Sequence, residues 1–207
     1  MPRSPPCLRP AALLAALLLG ACGSHRQPAE PARLPAAVCL AKLDELGVKY
    51  DRSSAPDGPC PVNDAVRVSA TGLAFSRPTL MSCDLALKIE QFSREVVAPA
   101  AQQYFHTTVR HIDHLGAYSC RGRPGGEWSE HSKGNAFDIA GFTFANGMVI
   151  RVEKDWNGTG PRRNFIRAVA HDACKIFSVV LTPDTNSDHR NHLHLDIGPW
   201  KKCDAKG

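Results

Sequence analysis

The chain has 207 residues, 43% of them apolar and 22% charged, which suits one globular domain with short appendages and excludes a second full domain. Its formal charge is +5 at pH 7, too small a basic excess to point to nucleic acid as a partner.

The amino terminus carries Arg3 and Arg9, then an apolar stretch from Ala11 to Ala21, the pattern of a secretory signal. That stretch is far shorter than the roughly 20 residues that cross a bilayer as a helix, so residues 1–21 are expected to be removed. Leu19-Gly20-Ala21-Cys22 resembles the bacterial lipobox, which implies that Cys22 becomes the lipid-bearing amino terminus. Gly23 at the next position, rather than Asp, implies sorting to the periplasmic side of the outer membrane. Loss of Arg3 and Arg9 lowers the formal charge to +3. Residues 22–36, rich in Pro and Ala, read as a tether, and residues 37–207 as the folded domain.

Ala36 to Leu46 predicts a short helix closed by Gly47, and Tyr50 to Pro61 a loop punctuated by Pro and Gly. Val66 to Val68 predicts a strand. Cys83 to Phe105 carries Leu85, Leu87, Ile89, Phe92, Val96 and Val97 at near-helical spacing, which predicts the main helix, broken at Pro99. Thr108 to Ile112 alternates as a strand does. Ala136 to Phe144 and Met148 to Val152 flank Asn146-Gly147, the signal of a hairpin. Asn164 to Phe177 predicts a second long helix, followed by strands at Ser178 to Leu181 and Leu193 to Ile197. Helices first and strands later, around one central helix, predict an α+β domain with a mainly antiparallel central sheet and flanking helices.

Apart from Cys7 and Cys22 there are six cysteines, Cys39, Cys60, Cys83, Cys120, Cys174 and Cys203. An even number in an export-directed chain predicts up to three disulfides, with about 15 connectivities open. No C-x-x-C pair is present to favour a cysteine zinc site.

Residues 129–138 read Ser-Glu-His-Ser-Lys-Gly-Asn-Ala-Phe-Asp and match S-x-H-x-x-G-x-A-x-D without departure. Chance would produce such a match at a given position on the order of once in a million. A loop His and a strand Asp joined by a Gly turn can converge on one cation, and imidazole and carboxylate both suit zinc. Residues 189–194 read His-Arg-Asn-His-Leu-His, with His192 and His194 spaced to leave the same face of a strand. One of the two can bind metal while the other faces substrate. Three protein ligands with an open fourth position are what a catalytic zinc requires.

These segments resemble the zinc superfamily of D-Ala-D-Ala peptidases, murein endopeptidases, lysostaphin-like peptidases and the hedgehog amino-terminal domain. The likeness is closer to the bacterial extensin-like carboxy-terminal domain family. It covers roughly residues 37–203, through Gly58-Pro59-Cys60-Pro61-Val62, Tyr118-Ser119-Cys120-Arg121, the Ser129 to Phe142 block, Asp155-Trp156, Ala173-Cys174-Lys175-Ile176-Phe177 and the His189 to Asp196 block.

The resemblance implies a hedgehog and D-Ala-D-Ala peptidase-like fold with one zinc ion held by His131, Asp138 and His194. It makes His192 the catalytic base, with His189 as helper or substitute, since the place of the carboxypeptidase branch's Glu is taken by Asn191. Arg121 resembles the arginine set beside the substrate or the developing oxyanion. Asp196, on the face of His192 and His194, and Ser129, the first residue of the motif, are expected to support the ligands from behind. The implied activity is that of a peptidase on peptidoglycan stem peptides or cross-links. The alternative is a non-catalytic, zinc-containing lipoprotein that binds peptidoglycan or peptide.

Overall fold

The computed structural model describes residues 28–55, 57–122 and 128–205. The signal stretch, Cys22 and the first part of the tether lie outside them. Helix α1 (Ala36–Glu45) buries Cys39 and Leu43 and ends where Gly47 adopts φ +72°, a left-handed turn suited to glycine. Strands β1 (Lys49–Arg52), β2 (Ala65–Ala70) and β3 (Ala74–Ser82) follow as an antiparallel meander.

Two of these strands differ from the sequence expectation. Strand β1 takes residues read as the start of a loop, because a charged edge strand such as Lys-Tyr-Asp-Arg shows no apolar alternation. Strand β3 was not foreseen, since Ser76, Arg77 and Pro78 are exposed in its middle. Pro78 falls where pairing with β2 skips from Val68–Thr79 to Ala70–Ala74, so its missing N–H interrupts no ladder there.

Ser82 caps helix α2 (Cys83–Phe92), its hydroxyl accepting from Leu85 N at 3.2 Å. The expected break at Pro99 is absent. One wide turn, Ser93–Val97, carries α2 into α3 (Ala98–Phe105), and Ala98 N–H donates five residues back to Ser93 O. Pro99 then lies in the first turn of α3, where a missing N–H is tolerated.

Strand β4 (Val109–Gly116) is longer than expected, β5 (Ala136–Phe144) and β6 (Val149–Arg151) form the expected hairpin, and Val152 already begins the short helix α4 (Val152–Asp155). Helix α5 (Gly160–Ala173) starts one turn earlier than its apolar period indicates, with Pro161 in its first turn. Strands β7 (Val179–Leu181), β8 (Leu193–Asp196) and β9 (Lys202–Cys203) complete the chain.

The domain is α+β, with a mixed, mostly antiparallel sheet in the order β1-β2-β3-β4-β5-β8-β7-β9 and β6 paired to β5. Among the described residues only the pairs β3–β4 and β7–β9 are parallel. Helices and strands are interleaved, rather than helices preceding strands, because the β1–β3 meander precedes the longest helical run. Phe142 and Phe144 of β5 meet Phe165 of α5 edge-on at 5.4 Å, so α5 covers one face of the sheet. Phe137, Ile139, Leu193 and Leu195 join the same core. Pairing with β4 skips Ala140, which inverts the phase of β5 there, so Asp138, between Phe137 and Ile139, and His194 and Asp196, alternating with Leu193 and Leu195, turn to the other face. Among the described residues three disulfides close the fold, Cys39–Cys83, Cys60–Cys120 and Cys174–Cys203. Among the described residues no helix is long and apolar enough to cross a membrane.

Candidate metal centre

Strands β5 and β8 pair antiparallel with Asp138 opposite His194, so the pleat sets these two side chains side by side. His131 arrives from outside the sheet, in a 3-10 turn at Glu130–Lys133. Ser129 caps that turn, its hydroxyl accepting from His131 N at 3.3 Å. Gly134 closes it at φ +66°, and its carbonyl accepts from Ser82 N at 2.9 Å. A Cβ on Gly134 would lie 2.9 Å from Val62 and 3.0 Å from Ser82 N, so the motif glycine is needed both for its backbone angle and for its lack of a side chain.

The three side chains converge. His131 Nε2 lies 3.2 Å from Asp138 Oδ1 and 3.2 Å from His194 Nδ1, and the latter two atoms are 3.0 Å apart. The outer nitrogens are both engaged: His131 Nδ1–H donates to Ala117 O at 2.9 Å, and His194 Nε2–H donates to Asp196 Oδ2 at 3.2 Å. A carbonyl and a carboxylate can only accept, so in the neutral rings the inner nitrogens carry lone pairs. Two lone pairs and a carboxylate oxygen then face one point in a buried site, an arrangement that could hold a cation.

The electrostatics express the same demand. Burial disfavours charge on His194, but hydrogen bonds to Asp138 and Asp196 outweigh it and hold this histidine up to about 9. Burial likewise opposes ionisation of Asp138, yet its interactions with the His131 and His194 imidazoles keep its carboxyl far below the usual range. A proton on His194 Nδ1 satisfies the need that a metal ion would meet. Ligand atoms about 2.0–2.1 Å from a tetrahedral zinc are about 3.3 Å apart, close to the edges found, and three protein donors leave one position open. The residues present fit zinc.

His192, His189 and Asp196 gather around this centre. His192 is half-buried, with Nε2 3.6 Å from Asp138 Oδ1 and Nδ1–H donating to Asn191 Oδ1 at 2.9 Å, which leaves Nε2 bare. Burial lowers its pKa, against the raising effect of Asp138, and charges on His194, His131 and Arg121 add to the lowering. The His189 ring centre lies 5.1 Å from that of His192, and Nδ1–H donates to Asn186 Oδ1 at 2.7 Å. Burial, then the charges on His194 and His192, push His189 down to about 4. The Arg121 side chain is exposed, beside residues 123–127, which lie outside the described set. Asp196 stands behind His194, and its Oδ1 accepts from Gly198 N at 2.9 Å.

Glu130 points away from the centre, its carboxylate bonded to Lys133 Nζ at 2.9 Å and Asn135 Nδ2 at 3.2 Å. Asn135 itself escaped sequence reading. Its Oδ1 accepts from Ser82 Oγ at 2.9 Å and its backbone carbonyl from Ile197 N at 3.1 Å, so it ties the 3-10 turn to α2 and to the end of β8. The only signal was an amide at an unspecified motif position. The Ala117 carbonyl that orients His131 had no signal, because a backbone acceptor carries no residue type.

The chain matches no curated protein and no solved structure. Residues 37–204 match the family described as Extensin-like protein C-terminus. That match covers the sheet, all three disulfides and the whole His131, Asp138 and His194 cluster, and the chain belongs to this family.

Proposed function

We propose that the chain is a zinc-dependent peptidase that hydrolyses peptide bonds in peptidoglycan stem peptides or their cross-links. The observation that carries the reading is the convergence of His131 Nε2, Asp138 Oδ1 and His194 Nδ1, with both outer imidazole nitrogens engaged as donors. Zinc bound to these three side chains supplies Lewis acidity toward a peptide carbonyl and an attacking water.

The chain's own residues supply the proton transfers. His192 presents a bare Nε2 next to the ligands, so it takes the proton of the attacking water and returns it to the leaving amine. His189, packed against His192 and neutral at working pH, keeps that imidazole in place or substitutes for it. Arg121 offers positive charge to the tetrahedral oxyanion. Peptidoglycan as substrate, and the periplasmic side of the outer membrane as location, follow from the superfamily resemblance and from the lipobox-like Leu19 to Cys22.

The test is digestion of purified peptidoglycan by a chain starting at residue 23, which contains the whole described fold, loaded with one equivalent of zinc. Mass spectrometry should find new peptide ends with the wild type and none with His131→Ala or His192→Ala. Zinc-loaded protein that leaves peptidoglycan intact but is retained on it would replace this reading with that of a binding lipoprotein.

A further inference from the structure

Residues 30–34 of the tether run along the domain and, with α1, α2 and the segments flanking β7 and β8, enclose a groove of about 570 Å³. Glu30 pairs with Lys133, and Leu34 N donates to Asp84 Oδ1 at 3.5 Å, which hold the tether as one wall. None of the metal ligands lines this groove.

Its floor is aliphatic. Leu34, Leu46, Leu87, Ile176 and Ile197 line it, each partly exposed while packed against the core. Its rim is basic, formed by Arg33, Lys42, Lys88 and Lys201. Lys88 and Lys201 donate to the neutral oxygens of Gln91 and Ser178, and among the described residues no carboxylate pairs with any of the four cations. The two acids of the lining are already engaged, Glu30 by Lys133 and Asp84 by Leu34 N. No aromatic side chain lines the groove, so a nucleobase or sugar has no stacking face. Aliphatic floor and unpaired cations together match an amphiphile with an anionic head.

We propose that this groove docks an anionic phospholipid of the bilayer, the phosphate among the four cations and an acyl chain along the floor. This rests on the membrane anchorage in the reading above. From Cys22 to Pro28 the extended tether spans at most about 20 Å, so a lipid on Cys22 keeps the groove within reach of the headgroup layer. Anchor and groove would then act together at the membrane surface.

The experiment is flotation of the lipid-free chain from residue 23 onward with vesicles of phosphatidylcholine alone or with added phosphatidylglycerol. Binding to the anionic vesicles only, weakened by salt, is expected. Lys42→Glu and Lys88→Glu should each lower partitioning about fivefold or more, and Leu87→Gln should weaken it at unchanged charge. Lys49→Glu, on β1 and outside the groove, should leave it near wild type. Equal partitioning onto both vesicle types, or equal loss with Lys49→Glu, overturns the proposal. Asp138→Ala, which removes a metal ligand, should leave vesicle binding intact, so the peptidase reading and this one fail separately.

Discussion

His194 Nε2–H donates to Asp196 Oδ2 at 3.2 Å, and this bond decides which nitrogen of His194 faces His131 and Asp138 in the candidate metal centre. Without it the ring is free to turn or to take the other tautomer. Asp196→Asn should therefore lower zinc affinity about 10–100-fold with the fold unchanged. Competition against a chromophoric chelator, beside a circular dichroism spectrum, measures both.

His192 has its Nε2 3.6 Å from Asp138 Oδ1 and lies outside the three-atom triangle. His192→Ala should thus keep one zinc per chain while peptidase turnover falls about 10²–10⁴-fold. Metal content by elemental analysis and kcat/KM on a peptidoglycan fragment check the two halves. Loss of zinc in this variant would make His192 a ligand rather than a base.

Much of this centre was legible in the sequence, because Ser129, His131, Gly134 and Asp138 each occupy a place that backbone geometry fixes. His131 needs a capped turn, Gly134 a left-handed angle, and Asp138 the outward phase of a strand whose neighbours Phe137 and Ile139 face the core. What was not legible is long-range. Strand β3 hides behind Ser76-Arg77-Pro78, and its existence depends on β2 and β4 accepting it. The wide turn that absorbs Pro99 depends on the packing of Val96 and Val97, and the cysteine pairing on which loops meet.

Gly134→Ala should destabilise the fold by about 2–4 kcal/mol, the left-handed angle and the contacts with Val62 and Ser82 N adding together. Urea unfolding of the metal-free protein isolates this from any loss of zinc. Gly147, at φ +83° with open space around it, should cost less when changed to Ala.

His114 is buried, its Nε2–H donates to Arg77 O at 2.9 Å, and its Nδ1 has no partner beside the Phe75 and Phe137 rings. Burial lowers its pKa from the ordinary 6.5, and the hydrogen bond to Arg77 opposes this only in part. The unfolded chain then binds this proton first. Stability attributable to neutral His114 is fully present above about pH 6.5 and is lost as pH falls toward the folded value. In His114→Gln the urea midpoint should fall less between about pH 6.5 and pH 5 than in the wild type. Parallel pH profiles would discard this account.

Cys39–Cys83 and Cys60–Cys120 interleave along the chain, whereas Cys174–Cys203 joins neighbours. An oxidant that links cysteines in order of appearance would make Cys39–Cys60 and Cys83–Cys120, both wrong. Each wrong bond joins one partner in α1 or α2 to one in the loops at Cys60 and Cys120, the second of which follows the Ala117 carbonyl that holds His131. After such sequential oxidation the native pairing would require thiol–disulfide exchange among the first four of these cysteines, and a host that oxidises without reshuffling would accumulate a chain with those thiols paired wrongly.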